Sequence, residues 1–193
     1  MEKVKTNKSC LKVINLEDSI NLNEIVDAIK DKLIENPPIM LYGKKCYQRR
    51  SIGFFSDDEN VVGYYYSNQL AEKQPLGLLK PLLEIVNRKF NIKFNGILVN
   101  KYKNGEEYIS PHSDDEKDLT DAGVVILSFG ATRKLRIKDK LTKKKVLDVP
   151  LVSGEIVQML GHFQKEFTHE IPVEKKIKTE RYSFTFRHHI KWF

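Results

Sequence analysis

Arg181-Tyr182-Ser183-Phe184-Thr185-Phe186-Arg187 is the stretch on which the fold turns. Side chains alternate faces along a strand. Tyr182, Phe184 and Phe186 therefore share one face, and Arg181, Ser183, Thr185 and Arg187 share the other. The aromatic face belongs against a core. The polar face has two readings: an exposed strand face with solvated arginines, or an inward surface that holds an anion, since the planar guanidinium fork matches a carboxylate.

Working back from this stretch, the texture of the chain after Asn91 stays the same. Segments 94–102, 124–130, 132–139, 155–160, 166–172 and 180–188 are short, rich in Val, Ile, Phe, Tyr and Thr, and separated by turns, which predicts strands. Before Asn91 the period changes. Ile25, Val26, Ile29, Leu33 and Ile34 predict a helix from Asn23 to Glu35, stopped by Pro37-Pro38. Leu78, Leu79, Leu82, Leu83, Val86 and Phe90 predict a second from about Gly77 to Phe90, with Pro81 in its first turn. Two helices followed by a run of strands predict an α+β chain whose C-terminal half is a β-sandwich or jelly roll. Residues 1–10 are polar and lysine-rich and are expected to be loose. No repeat, low-complexity tract or clear linker is evident.

A chain of 193 residues is one domain, or one domain with an arm. Its 40% hydrophobic content is that of an ordinary globular protein. No apolar run approaches the roughly 20 residues of a membrane span, and Met1-Glu2-Lys3-Val4-Lys5 has no apolar signal core. The expectation is an intracellular protein without a membrane partner, nucleus and cytoplasm not being distinguished. Cys10 and Cys46 fit a reducing compartment and are too few and too far apart for a thiolate zinc site. The net charge of +7, with clusters at Lys44-Lys45, Arg49-Arg50, Lys143-Lys144-Lys145 and Lys175-Lys176, permits a polyanionic partner. Any single cluster also fits a solvated turn.

All five histidines lie in the β half. His112 and Asp114 form an H-x-D pair in Ser110-Pro111-His112-Ser113-Asp114-Asp115-Glu116, and His169 follows in a predicted strand that ends at Pro172. Two imidazoles and one carboxylate are the ligand set of the facial triad that holds non-heme Fe(II) and leaves positions open. If the three meet in space, the protein activates oxygen. An isolated H-x-D is usually a surface turn. Asn100 and Tyr102, at spacing two, point the same way on a strand just upstream.

The order of these elements closely resembles the AlkB family of Fe(II)/2-oxoglutarate-dependent dioxygenases, nearest to its duplex-DNA-acting, animal-type branch. The carrying segments are Asn100-Lys101-Tyr102, His112-Ser113-Asp114-Asp115-Glu116, Leu127-Ser128-Phe129-Gly130-Ala131, Thr168-His169-Glu170-Ile171-Pro172 and Arg181 to Arg187. The resemblance spans about residues 40 to 188, and the R-x-x-x-T-F-R ending is more specific than the triad.

The resemblance implies a double-stranded β-helix (jelly roll) core over residues 93–190, and N-terminal helices with a nucleotide-recognition lid over 11–92, in a single domain of 1–193. It implies that His112, Asp114 and His169 bind Fe(II), that Arg181 pairs with the distal carboxylate of 2-oxoglutarate with help from Tyr102, and that Asn100 and Arg187 hold the end near the metal, with Thr185 lining the site. Many relatives have Asn where this chain has Ser183, and the shorter hydroxyl is expected to loosen the cofactor or admit a water. Gly63-Tyr64-Tyr65-Tyr66-Ser67 resembles the lid word of the family, so Tyr64, Tyr65 and Tyr66 are candidate substrate contacts; a strand packing on its neighbour is the other reading. Glu116 matches an acidic residue that faces the base, with Asp115 beside it. Leu41-Tyr42-Gly43-Lys44 followed by Arg49-Arg50 resembles a finger in which Tyr42 fills the gap left by a flipped base and the basic residues, Arg50 included, meet phosphates; a plain β-turn is the other reading.

The expected activity is oxidative demethylation of 1-methyladenine- and 3-methylcytosine-type bases in DNA by a monomer, using Fe(II), 2-oxoglutarate and O2 and releasing formaldehyde, succinate and CO2. The alternatives are the same chemistry on RNA or protein, and a non-catalytic nucleic-acid-binding module.

Overall fold

The computed structural model of the chain describes residues 1–16, 20–41, 43–66, 69–114 and 123–188, with the backbone alone at Leu41, Tyr65, Tyr66 and Gln69. In chain order the elements are β1 (Glu2–Lys5), β2 (Ser9–Asn15), α1 (Leu22–Ile29), β3 (Pro38–Leu41), β4 (Lys44–Tyr47), β5 (Ser51–Phe55), β6 (Gly63–Tyr66), β7 (Gln69–Gln74), α2 (Lys80–Phe90), β8 (Gly96–Tyr102), β9 (Ile109–His112), β10 (Val124–Gly130), β11 (Arg133–Asp139), β12 (Lys145–Leu151), β13 (Glu155–Gly161), α3 (Phe163–Glu166), β14 (Phe167–Ile171) and β15 (Arg181–Arg187).

Among the described residues one sheet has nine strands, in the order β1-β2-β13-β10-β15-β8-β5-β7-β6, and a second has four, in the order β12-β11-β14-β9; β3 and β4 form a hairpin. All six strands expected after Asn91 are present, as β8, β10, β11, β13, β14 and β15. Strand β15 lies inside the large sheet between β10 and β8, antiparallel to both. Its alternation divides two cores. Tyr182, Phe184 and Phe186 join Val99, Val125 and Leu127 in a cluster closed by Ile25, Val26 and Ile29 of α1 and Leu82, Leu83 and Val86 of α2. The two helices thus cover the outer face of the large sheet. On the other face Val124, Ile126 and Val157 meet Leu135, Ile137, Val149 and Ile171 of the small sheet. Two sheets packed face to face, with helices on one outer face, make the α+β jelly roll that the strand pattern predicts.

Three local expectations are corrected. Residues 1–10 are not loose: β1 and β2 form an antiparallel hairpin that extends the large sheet through β13. Leu11 is fully buried and Val4 nearly so, so the apolar residues between the lysines anchor the segment. The first helix stops at Ile29, followed by a 3-10 turn at Lys30–Lys32. Leu33 is then extended, and Ile34 exchanges two backbone hydrogen bonds with Ile52, at 2.8 and 3.0 Å. That pairing, rather than Pro37-Pro38, ends the helix. The expected grouping of helices first and strands after also fails, because β1 to β7 precede α2. The second helix is expected from about Gly77; residues Gly77–Leu79 form a 3-10 turn, and the α-helix starts at Lys80, with Pro81 in its first turn, and closes at Asn91, whose φ of 52° is left-handed. Among the described residues no helix is long and apolar enough to cross a membrane.

Phe184 is 0% exposed at the centre of the outer core, whereas Leu141 is 91% exposed. Phe184→Ala is therefore expected to destabilise the protein by about 3–5 kcal/mol, and Leu141→Ala by less than about 0.5 kcal/mol. Urea unfolding followed by circular dichroism measures both; equal effects would contradict this placement of the core.

Candidate metal and anion site

The three proposed ligands come from one edge of the small sheet. His112 ends β9 and stands opposite His169 of β14. The imidazoles face one another with centroids 4.3 Å apart. Asp114 follows two residues later, held by its neighbours: its backbone N–H donates to Gln164 Oε1 at 2.9 Å, and the Ser113 hydroxyl donates to the Phe167 carbonyl at 2.9 Å. The Asp114 carboxylate then lies 3.9 Å from His112 Nε2 and 3.4 Å from His169 Nε2. One ligand atom from each residue falls within 4.8 Å of the others. Donors at right angles, about 2.1 Å from one ion, stand roughly 3 Å apart. The donor set and its spacing therefore fit a divalent metal of the Fe(II) type. His112 Nδ1 lies 2.9 Å from the Ser110 carbonyl, which assigns the proton to Nδ1 and leaves the Nε2 lone pair to the ligand cluster.

The polar face of β15 closes the other side of the same cavity. Arg181, Ser183, Thr185 and Arg187 are all at most 5% exposed and all line it, so the inward reading of the arginine strand holds. Arg181 donates from Nη2 to Ser128 Oγ at 3.0 Å, while its Nε and Nη1 are buried with no hydrogen-bond partner among the described residues. The Tyr102 ring lies 5.5 Å from the guanidinium carbon. Burial lowers the Arg181 pKa to about 10; Tyr102 opposes that shift and Arg133 adds to it. A buried guanidinium with two open donors is costly alone and well matched to a carboxylate. Ser183 sits opposite Asn100 on β8 and opposite Ser128 on β10.

Arg187 lines the same cavity and also meets a proposed metal ligand. Its Nη2 donates to Asp114 Oδ1 at 2.6 Å, and its guanidinium lies over the Tyr64 ring at 5.2 Å. It thereby steadies a proposed metal ligand. Burial alone would raise the Asp114 pKa, but the Arg187 charge and His169 outweigh it and hold the carboxyl well below the usual carboxylate range.

The substrate candidates divide. Tyr64 lines the cavity and is stacked on Phe54, with centroids 6.2 Å apart. The backbones of Tyr65 and Tyr66 lie on β6, paired with β7. Their side chains, and Tyr42, Asp115 and Glu116 entirely, lie outside the described residues. Arg50 requires correction as a surface phosphate contact. It is 5% exposed, lines the cavity, and donates from Nε to Asn100 Oδ1 at 2.7 Å. Of the pair, Arg49 alone is exposed. Two contributors have no motif in the sequence. Gln164 on α3 orients Asp114, and Arg133, 1% exposed, donates to the carbonyls of Asn104, Glu107 and Pro172 and stacks by Tyr102.

In the metal-free protein, burial and then the neighbouring His169 lower the His112 pKa from 6.5 to about 4. Between those values the unfolded chain binds a proton that the folded chain refuses. Stability is expected to hold above about pH 6.5 and to fall as pH drops towards 4, by up to about 1.4 kcal/mol per pH unit from this group. The Asp114 contribution is lost only below the ordinary carboxylate value of 3.8. Urea midpoints of metal-free protein across this range should show a smaller slope in His112→Gln; an unchanged slope would remove His112 as its source.

The model of the 2OG-Fe(II) oxygenase superfamily matches residues 15–187. A human protein named DNA oxidative demethylase ALKBH2 is 30% identical over 126 residues, covering 61% of this chain and 48% of the relative. Its namesake from Arabidopsis thaliana is 25% identical over 178 residues, covering 78% and 56%. Alpha-ketoglutarate-dependent dioxygenase alkB homolog 3 of Rattus norvegicus is 31% identical over 135 residues, covering 64% and 47%. The chain thus spans about half the length of these relatives. Among solved structures, OsALKBH1 superposes with a TM-score of 0.58 at 16% identity, covering 98% of this chain and 100% of that one. A prolyl hydroxylase from Trichoplax adhaerens, in complex with a hypoxia inducible factor peptide, gives 0.63 at 14%, covering 93% and 83%. These two likenesses concern the fold.

Proposed function

The chain belongs to the 2OG-Fe(II) oxygenase superfamily, as a member of its AlkB type, and from that premise we propose that it is a 2-oxoglutarate-dependent dioxygenase that oxidatively demethylates N-alkylated bases in DNA. The observation that carries the proposal is one cavity with two complementary walls. One wall has three ligand atoms within 4.8 Å of one another, and the other has a buried arginine with two open donors.

In this reading His112, Asp114 and His169 would hold Fe(II) on one side and leave positions open on the other. Arg181, beside Tyr102, would take the far carboxylate of 2-oxoglutarate; Asn100 and Arg187 would face its near end, and Ser183 and Thr185 would line the space between. When bound, iron with 2-oxoglutarate and O2 supplies the oxidation of an N-methyl carbon to a hydroxymethyl group, which leaves as formaldehyde, with succinate and CO2 as co-products. Arg187 keeps Asp114 ionised and oriented as a ligand. The Ser110 carbonyl keeps the His112 proton away from the ligand nitrogen. The apolar side chains between the sheets exclude bulk water.

On the substrate side, Tyr64 at the cavity wall is proposed to contact the flipped nucleotide, with Tyr65, Tyr66, Asp115 and Glu116 around the base and Tyr42 as the wedge. Two relatives carry DNA in their names, and the net charge of +7 suits a polyanion. Action as a monomer inside the cell belongs to the same proposal and agrees with two unpaired cysteines.

The test is turnover. Protein supplied with Fe(II), 2-oxoglutarate and O2 is incubated with single-stranded DNA, duplex DNA and RNA carrying 1-methyladenine or 3-methylcytosine. Formaldehyde and succinate are expected in equal amounts with DNA. Asp114→Ala is expected to lower turnover at least a hundredfold while nucleic-acid binding persists. Turnover on RNA alone would reassign the substrate, and binding without turnover on any substrate would favour a non-catalytic binding module.

A further inference from the structure

The side-chain amide of Asn100 has two chemically different ends, and a single neighbour decides which of them meets the cavity. Arg50 Nε lies 2.7 Å from Asn100 Oδ1. Both side chains are buried, at 5% and 8% exposure. A guanidinium has donors and no acceptor, so the atom it meets must be the amide oxygen. The two Nδ2 hydrogens are then what Asn100 offers the cavity.

We propose that Arg50 is a positioning residue for the co-substrate, fixing the Asn100 amide so that a donor rather than an acceptor faces the carboxylate end of 2-oxoglutarate nearest the metal ligands. The inference rests on the co-substrate reading given above.

The backbone explains the placement. Strand β5 pairs with β8 so that Ile52 stands opposite Asn100. Arg50 lies in the bend that leads into β5, two residues before Ile52, and its side chain reaches Asn100 on β8. Arg50 and Asn100 line the cavity together with His112 and Tyr64. An amide turned the other way would set a carbonyl oxygen against an anion in a water-poor space, where such repulsion is strong. No other described residue is bonded to Asn100 Oδ1, and Arg187 spends its Nη2 on Asp114. A buried cation beside an anion site also explains why Arg50 is inside while Arg49 is exposed.

The experiment is a calorimetric titration of 2-oxoglutarate into Mn(II)-loaded protein, since Mn(II) accepts the same oxygen-rich coordination. The titration is repeated for Arg50→Met, Arg50→Lys, Asn100→Ala and the combination of Arg50→Met with Asn100→Ala. Arg50→Met is expected to raise the 2-oxoglutarate Kd about tenfold, and Arg50→Lys, which keeps a charge and a donor, to recover part of the loss. The double variant is expected to bind within about twofold of Asn100→Ala alone, the coupling of one residue acting through another. If Arg50→Met does not fold, Arg50→Lys and its combination with Asn100→Ala complete the same cycle. Wild-type affinity in the Arg50 variants, or losses that multiply in the double variant, overturns the assignment and leaves the co-substrate reading standing. No 2-oxoglutarate binding by the wild-type protein overturns both.

Discussion

Two guanidiniums and a carboxylate enclosed between β-sheets govern the arrangement of everything around them. Arg181, Asp114 and Arg187 are 1%, 4% and 3% exposed. Charges removed from water are costly unless paired. Asp114 and Arg187 pair at 2.6 Å, so each offsets the other. Among the described residues Arg181 has only the Ser128 hydroxyl as a hydrogen-bond partner and keeps two donors open. Such a group at the centre of the largest sheet is suited to an anion that would complete it. The metal-ligand cluster and the anion cradle are therefore one construction, joined through Asp114.

The sheets divide the work. The small sheet brings His112 and His169 face to face by cross-strand register, and Asp114 follows in the next turn of chain. The large sheet brings Arg181, Ser183, Thr185 and Arg187 inward on β15, with Asn100 and Tyr102 alongside on β8. The helices α1 and α2 cover the outer face and leave the inner one to the site. The inter-sheet core of Ile126, Leu135, Ile137 and Leu151 sets the gap across which the two halves meet. Packing of this kind gives a site its rigidity, because core side chains resist small changes in spacing.

Much of this was legible in the residues themselves. The period-two alternation of Arg181 to Arg187 already separates core from site, and the two arginines suggest an anion. The ligand set His112, Asp114 and His169 gains meaning from its order relative to Asn100 and Tyr102. What was hidden has physical causes. In β1 and β2 the lysines on one face mask the apolar residues on the other, so a paired strand reads as a loose terminus. The end of α1 depends on the pairing of Ile34 with Ile52, a tertiary contact that helical periodicity does not contain. Arg49 and Arg50 read as one basic patch, although the bend that carries them into β5 turns one inward and only the other reaches solvent. Gln164 supports Asp114 through a contact 50 positions away in sequence.

One cavity is proposed to hold ferrous iron on His112, Asp114 and His169 and a 2-oxo dicarboxylate against Arg181. Anaerobic addition of 2-oxoglutarate to Fe(II)-loaded protein, followed by visible absorption, tests it most directly. A charge-transfer band of the 2-oxo acid chelated to iron should appear only when both are present, vanish in His169→Ala, and require much more 2-oxoglutarate in Arg181→Ala. A band that never forms, or one that is unchanged in His169→Ala, would contradict the account.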